Sequence, residues 1–69
     1  MKVTIDYKVY EARSLNHLSV RELSKKSGVS KTMINDIENN KTNPTLLVIC
    51  QLAACMNMKP EDLYSYSIE

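Results

Sequence analysis

The chain contains no tryptophan, no phenylalanine, one glycine, two prolines and one histidine. With four tyrosines as the only aromatic side chains, the core has to be assembled mainly from aliphatic ones. One glycine rules out a Gly-rich phosphate cradle, and leaves Gly28, Pro44 and Pro60 to carry most of the punctuation. His17, Cys50 and Cys55 offer no four-ligand zinc set, so no metal and no other cofactor is expected. The two cysteines lie five residues apart in a stretch that reads as helix. Their side chains would diverge there by about 140°, which places them as reduced, apolar thiols rather than a disulfide. No apolar run approaches the roughly 20 residues that span a bilayer. Met1 to Asp6 carries one lysine and no apolar stretch of the kind a leader peptide needs, so the expected location is the cytoplasm, with no membrane contact.

Neither sign of charge dominates. The formal net charge is +1, poor support for an anionic partner if taken as a total. The distribution is more informative. Residues 8–41 hold seven lysines and arginines against four acids, while residues 42–69 hold one against three. A basic middle followed by an acidic end is the polarity expected when one face meets phosphate and the other does not. At 69 residues the chain can bury only about 60% of its unfolded surface, so residues 1–69 are read as a single domain.

Asp6 is a good N-cap, and Tyr7 to Leu15 then reads as a first helix, with Val9, Ala12 and Arg13 on one face beside Ile5. Ser19 followed three residues later by Glu22 is a capping box, opening a second helix from Val20 to about Ser27 with Val20, Leu23 and Ser24 inward. Gly28 suits a left-handed C-cap and Val29 an apolar plug. Ser30 caps a third helix, Lys31 to about Asn39, anchored by Ile34 and Ile37. Lys31, Thr32, Asn35 and Asp36 face the other way. Asn39 and Asn40 end that helix, because asparagine accepts positive φ more readily than other non-glycine residues.

A fourth helix is expected from near Thr45 to about Met56. Its inward stripe reads as Leu46, Ile49, Ala53 and Met56, with Cys50 and Leu52 at the edges. The opposite side, Leu47, Val48, Ala54 and Cys55, is also apolar, so this helix should be covered on more than one face. Pro60 opens a fifth, short helix through about Leu63. Lys2 to Ile5 and Tyr64 to Ile68 alternate like short strands and are able to pair as a two-stranded ribbon, within one subunit or by exchange between two. The alternative for these tails is fraying.

A capped helix, a Gly-Val turn and a second capped helix across residues 19–39 make a helix-turn-helix. Arg13, then L-S-V-R-E-L-S-K-K-S-G-V-S-K-T-M-I-N-D-I-E-N-N-K-T-N-P from Leu18 to Pro44, and P-E-D-L at Pro60 to Leu63, resemble the phage repressor/Cro-like, or XRE-type, regulators. The resemblance spans roughly residues 5–64. It implies an all-α, five-helix, lambda-repressor-like DNA-binding domain with the third helix in the major groove. Base contacts then fall to Lys31, Thr32, Asn35 and Asp36, of which the carboxylate is tolerable only opposite a cytosine amino group. Phosphate contacts fall to Ser19, Val20 and Arg21 at one helix N-terminus, to Ser30, and to Asn39, Lys41, Thr42 and Asn43 in the following loop. Arg13 and Glu38 each lie on an inward face where a lone charge is costly. The resemblance implies that they form a buried ion pair. Asn40 stands where the family usually has glycine and Ser24 where it has alanine, while Met33 and Leu47 are apolar where many relatives are polar.

The partners implied are a double-stranded operator and a second copy of the chain, with no small-molecule ligand. An enzyme is the weakest alternative, since no nucleophile sits beside a base and there is little volume for a pocket. The stronger rival is an interaction module that kept the fold and lost most DNA binding; low net charge, Asp36, Leu47 and Val48 favour it. An antitoxin-like regulator is a third reading, one that usually needs a toxin-binding segment beyond short tails.

Overall fold

The computed structural model describes all 69 residues. Strand β1 (Val3–Tyr7) leads into α1 (Val9–Leu15), α2 (Val20–Ser27), α3 (Lys31–Glu38) and α4 (Leu46–Cys55). A single 3-10 turn, Pro60–Leu63, then hands the chain to β2 (Tyr64–Ile68), which pairs antiparallel with β1. The fold is therefore four α-helices and a terminal ribbon rather than five helices. Two residues earlier than the observed start of α1, the chain is still strand. Asp6 lies opposite Ser65 and Tyr7 opposite Tyr64, so Asp6 caps nothing, and Lys8 takes the N-cap place without a side-chain bond. The ladder sets both limits. Lys8 N–H donates to the Leu63 carbonyl at 2.7 Å, which ends the fifth helical segment after one turn and delays the first.

Eleven apolar residues form the core, drawn from every helix and completed by Val29 in the turn and Leu63 at the end of the 3-10 turn. α2 packs on α3 and α4, α3 on α1, and α4 on the 3-10 turn. In α4 the fully buried side is Ile49, Leu52 and Ala53, with Met56 just beyond it. Leu46, expected inside, is 68% exposed, and Leu52, expected at an edge, is wholly buried. A helix that is apolar nearly all round carries no phase in its sequence, so small rotations go undetected. Val48 and Cys55 also pack against the core, which gives α4 part of its second covered face. Both cysteines are free, and burial pushes the Cys55 thiol up from its ordinary range.

Each of the four helices is closed by a left-handed residue: His17, Gly28, Asn40 and Asn57 have φ of 55°, 80°, 57° and 56°. This breaks the helical path within two residues and redirects the chain toward the next element. The two asparagines and the glycine are usual choices, and His17 is the less common one.

The ribbon register sorts its side chains cleanly. Val3 pairs with Ile68, Ile5 with Tyr66 and Tyr7 with Tyr64, whereas Thr4 pairs with Ser67 and Asp6 with Ser65. Because alternate residues share a face, one side of the ribbon is wholly apolar and the other polar. Only Tyr7 and Tyr64, at the end nearest the helices, pack on the core. No helix is long and apolar enough to cross a membrane.

Candidate nucleic-acid interface

α2 begins at Ser19 with both halves of a capping box: Ser19 Oγ accepts from Glu22 N–H at 3.1 Å, and Glu22 Oε1 accepts from Ser19 N–H at 3.0 Å. These bonds hold the Glu22 carboxyl below the usual carboxylate range. Ser19 is thereby fully engaged within its own helix. The next two N–H groups, of Val20 and Arg21, are those an α-helix leaves without an internal partner. Arg21, Lys25 and Lys26 are exposed along the same helix, while Val20 is half-buried against the core.

The turn after α2 is held at both ends. Gly28 N–H donates to the Ser24 carbonyl at 3.0 Å, and Val29 N–H to Ser27 Oγ at 3.1 Å. Ser30 then caps α3 by accepting from Met33 N–H at 3.1 Å. Ile34 and Ile37 are completely buried, and Met33 is half-buried against the same core. With three apolar anchors on one side, α3 has one orientation available. Lys31, Thr32 and Asn35 are exposed on the other side, and Asp36 is half-buried at its border.

The loop beyond α3 is bonded back to that crest. Asn39 Nδ2 donates to the Asn35 carbonyl at 2.8 Å, and Lys41 N–H to the Asp36 carbonyl at 2.8 Å. Lys41 and Asn43 are exposed and Thr42 half-buried. Tyr7 of the ribbon donates its hydroxyl to Asn43 Oδ1 at 2.9 Å, and burial holds that hydroxyl above its ordinary pKa, so it stays a donor. Asn43 Nδ2 points no bond at this tyrosine and keeps its own donors. Nothing local in the sequence signals this contact, which joins residues 36 positions apart.

Arg13 and Glu38 form a two-pronged ion pair: Nε donates to Oε2 at 2.8 Å and Nη2 to Oε1 at 2.9 Å. Their side chains are only 14% and 10% exposed. The remaining donor Nη1 reaches the Leu18 carbonyl at 3.2 Å, and the guanidinium stacks over Tyr10 at 5.0 Å. Arg13 thus ties together α1, the entry to α2 and the last turn of α3. The bonds to Glu38 raise the Arg13 pKa further above its ordinary value. Tyr10 and the Leu18 carbonyl are the members of this cluster that periodicity alone did not single out.

Of the residues singled out from sequence, Lys31, Thr32, Asn35, Asn39, Lys41 and Asn43 are exposed and Asp36 and Thr42 half-buried, with Asn39 and Lys41 bonded back onto α3 at Asn35 and Asp36. Ser19, Arg21 and Ser30 are exposed at the adjoining helix starts. These residues can donate many hydrogen bonds and include the exposed cations Arg21, Lys31 and Lys41. They hold no cluster of groups able to bind a metal ion.

Two helices joined by a left-handed Gly28 and a buried Val29, backed by α1 and α4, define a helix-turn-helix protein. Residues 9–63 match the family described as helix-turn-helix, and the chain belongs to that XRE-type family. An uncharacterized HTH-type transcriptional regulator of Methanocaldococcus jannaschii is 37% identical over 54 residues, covering 78% of this chain and 82% of that protein. Among solved structures, the restriction-modification controller protein C.AhdI of Aeromonas hydrophila superposes with a TM-score of 0.76 at 25% identity. That match covers 80% of this chain and 83% of the controller protein.

Proposed function

We propose that the protein is a cytoplasmic transcriptional regulator that binds double-stranded DNA sequence-specifically, as a homodimer on a near-palindromic operator. The observation that carries the reading is the α3 crest: Lys31, Thr32 and Asn35 stand in solvent on a helix whose other side is locked by Ile34 and Ile37. An α-helix with its side chains is about 10–12 Å across, and the major groove of B-DNA, about 12 Å wide, admits it side-on. Family membership and the names of the two relatives support the same class.

In this reading Lys31 donates to guanine O6 or N7, Asn35 pairs with adenine, and Thr32 meets a thymine methyl. Asp36, half-buried, contributes only where a cytosine amino group approaches. Phosphates bind the free N–H groups of Val20 and Arg21, the side chains of Ser30, Asn39 and Thr42, Asn43 Nδ2, and above all Lys41. Ser19 supports the first of these contacts by fixing the helix start. Two copies would set their α3 helices about 34–36 Å apart, in successive major grooves.

Affinity selection from random duplexes, followed by sequencing, tests the proposal. Enrichment of an inverted repeat is the expected result. Recovery of no motif, even at low salt, would overturn the reading in favour of a fold kept for protein contacts alone.

A further inference from the structure

The apolar face of the ribbon runs on beyond the core. Val3, Ile5, Tyr66 and Ile68 are 36–63% exposed on that face, and across a shallow groove floored by Tyr7 and Tyr64 stands Leu46, 68% exposed at the start of α4. These five side chains present on the order of 500 Å² of apolar surface, at the high end of what a monomer leaves in one patch. Apposing two such faces removes about 1,000 Å², the threshold for a specific interface.

We infer that this face, the ribbon together with Leu46, is where a second copy of the same chain docks. The inference deepens the regulator reading by naming the surface through which the dimer forms, and it rests on that reading only for its purpose. Three observations select the occupant. The area of the patch, doubled by a two-fold axis, meets what a dimer needs. Lys2, Asp6 and Glu69, the charged residues of the ribbon, fall with Thr4 and Ser67 on its opposite, polar face, so the patch itself is uncharged and suits a like apolar surface. With no cation among its five side chains, it does not suit DNA or an anionic membrane. The patch also shares no residue with the α3 crest, so both surfaces can be occupied together.

Docking would bury the free face of an otherwise two-stranded ribbon, which in isolation is marginally stable. It would also stiffen Tyr7, and through the Tyr7–Asn43 bond the loop carrying Lys41.

Sedimentation of the full chain without DNA, from low micromolar to hundreds of micromolar, tests the surface. The wild type should be dimeric over most of that range. Y66E should weaken association by about thirtyfold or more, as loss of a central tyrosine anchor does, with helical circular dichroism unchanged. L46E should act in the same direction from the other side of the groove. T4E, on the polar face of the ribbon, and L15E, on exposed α1, should leave the dimer intact. A wild type that stays monomeric throughout overturns the inference and assigns the face to a different chain; a dimer indifferent to both Y66E and L46E overturns it by placing the interface elsewhere. Binding to a duplex with a single half-site reports α3 alone. Its loss in an intact dimer therefore counts against the regulator reading and not against this surface.

Discussion

Between Ser19 and Asn39, backbone groups at the helix ends are satisfied by side chains one turn away, and the apolar anchors point into a finished core. The ribbon is built the other way. Its bonds join the two ends of the chain, and most of its apolar face looks into solvent. One region is complete within a single copy and presents polar groups; the other is incomplete and presents apolar ones. The difference matches the two partners proposed above, a polyanion for the first and a like surface for the second.

The largest effect that would sharpen this contrast is at Arg13–Glu38, which locks α3 against α1. Arg13→Ala leaves a largely buried carboxylate alone and should lower stability by about 3 kcal/mol, the low end for a buried pair because water still reaches one side. Urea unfolding measures it. The double variant Arg13→Met, Glu38→Leu should recover most of the loss, since neither partner is then stranded. If Arg13→Ala costs little, the crest is held by Ile34 and Ile37 alone.

Gly28→Ala comes next. A Cβ there makes only an ordinary van der Waals contact, with Gln51 Nε2 at 3.9 Å, so the cost is set by φ of +80°. It should be about 1–2 kcal/mol, read from the thermal midpoint, and Gly28→Asn should cost less.

Tyr7→Phe removes the one hydroxyl linking ribbon to loop. An exposed hydrogen bond of this kind contributes at most about 1 kcal/mol. Global stability should therefore move little, while affinity for all DNA sequences drops by the same modest factor. A loss as large as that of Arg13→Ala would break the comparison, because the ribbon would then be part of the structural frame.

The smallest expected effect is one of pH. Glu22 is held below its ordinary pKa by the N–H of Ser19, so its contribution is full above about pH 4.3, the ordinary glutamate value, and fades as acid carries the solution through the lowered one. Glu22→Ala should flatten that part of the acid limb in thermal melts.

The helix-turn-helix was legible in the sequence because its rules are local. Ser19 with Glu22, Gly28 before Val29, and Ser30 before an Ile34–Ile37 stripe each state a cap, a turn or a face within four residues. Where the chemistry is non-local, sequence reading fell short. Asp6 looked like a cap because its pairing with Ser65 lies at the far end of the chain, and that pairing moved the start of α1 and cut the fifth helix to one 3-10 turn. Leu46 and Leu52 exchanged roles because α4 offers no polar side to fix its rotation. The exposed crest of Lys31, Thr32 and Asn35 was readable, but the bonds from Asn39 and Lys41 back onto it have no periodic signature, and the reach of Tyr7 to Asn43 joins distant parts of the chain.

The division of labour within the crest and its loop can be tested in one set of titrations, comparing K31A and K41A on an operator and its single-base variants over a range of salt. The account predicts that K31A erases preference at one base pair, by about 1–3 kcal/mol, and that K41A weakens every sequence alike while reducing the salt slope by about one unit. Uniform and equal losses from both substitutions would contradict it.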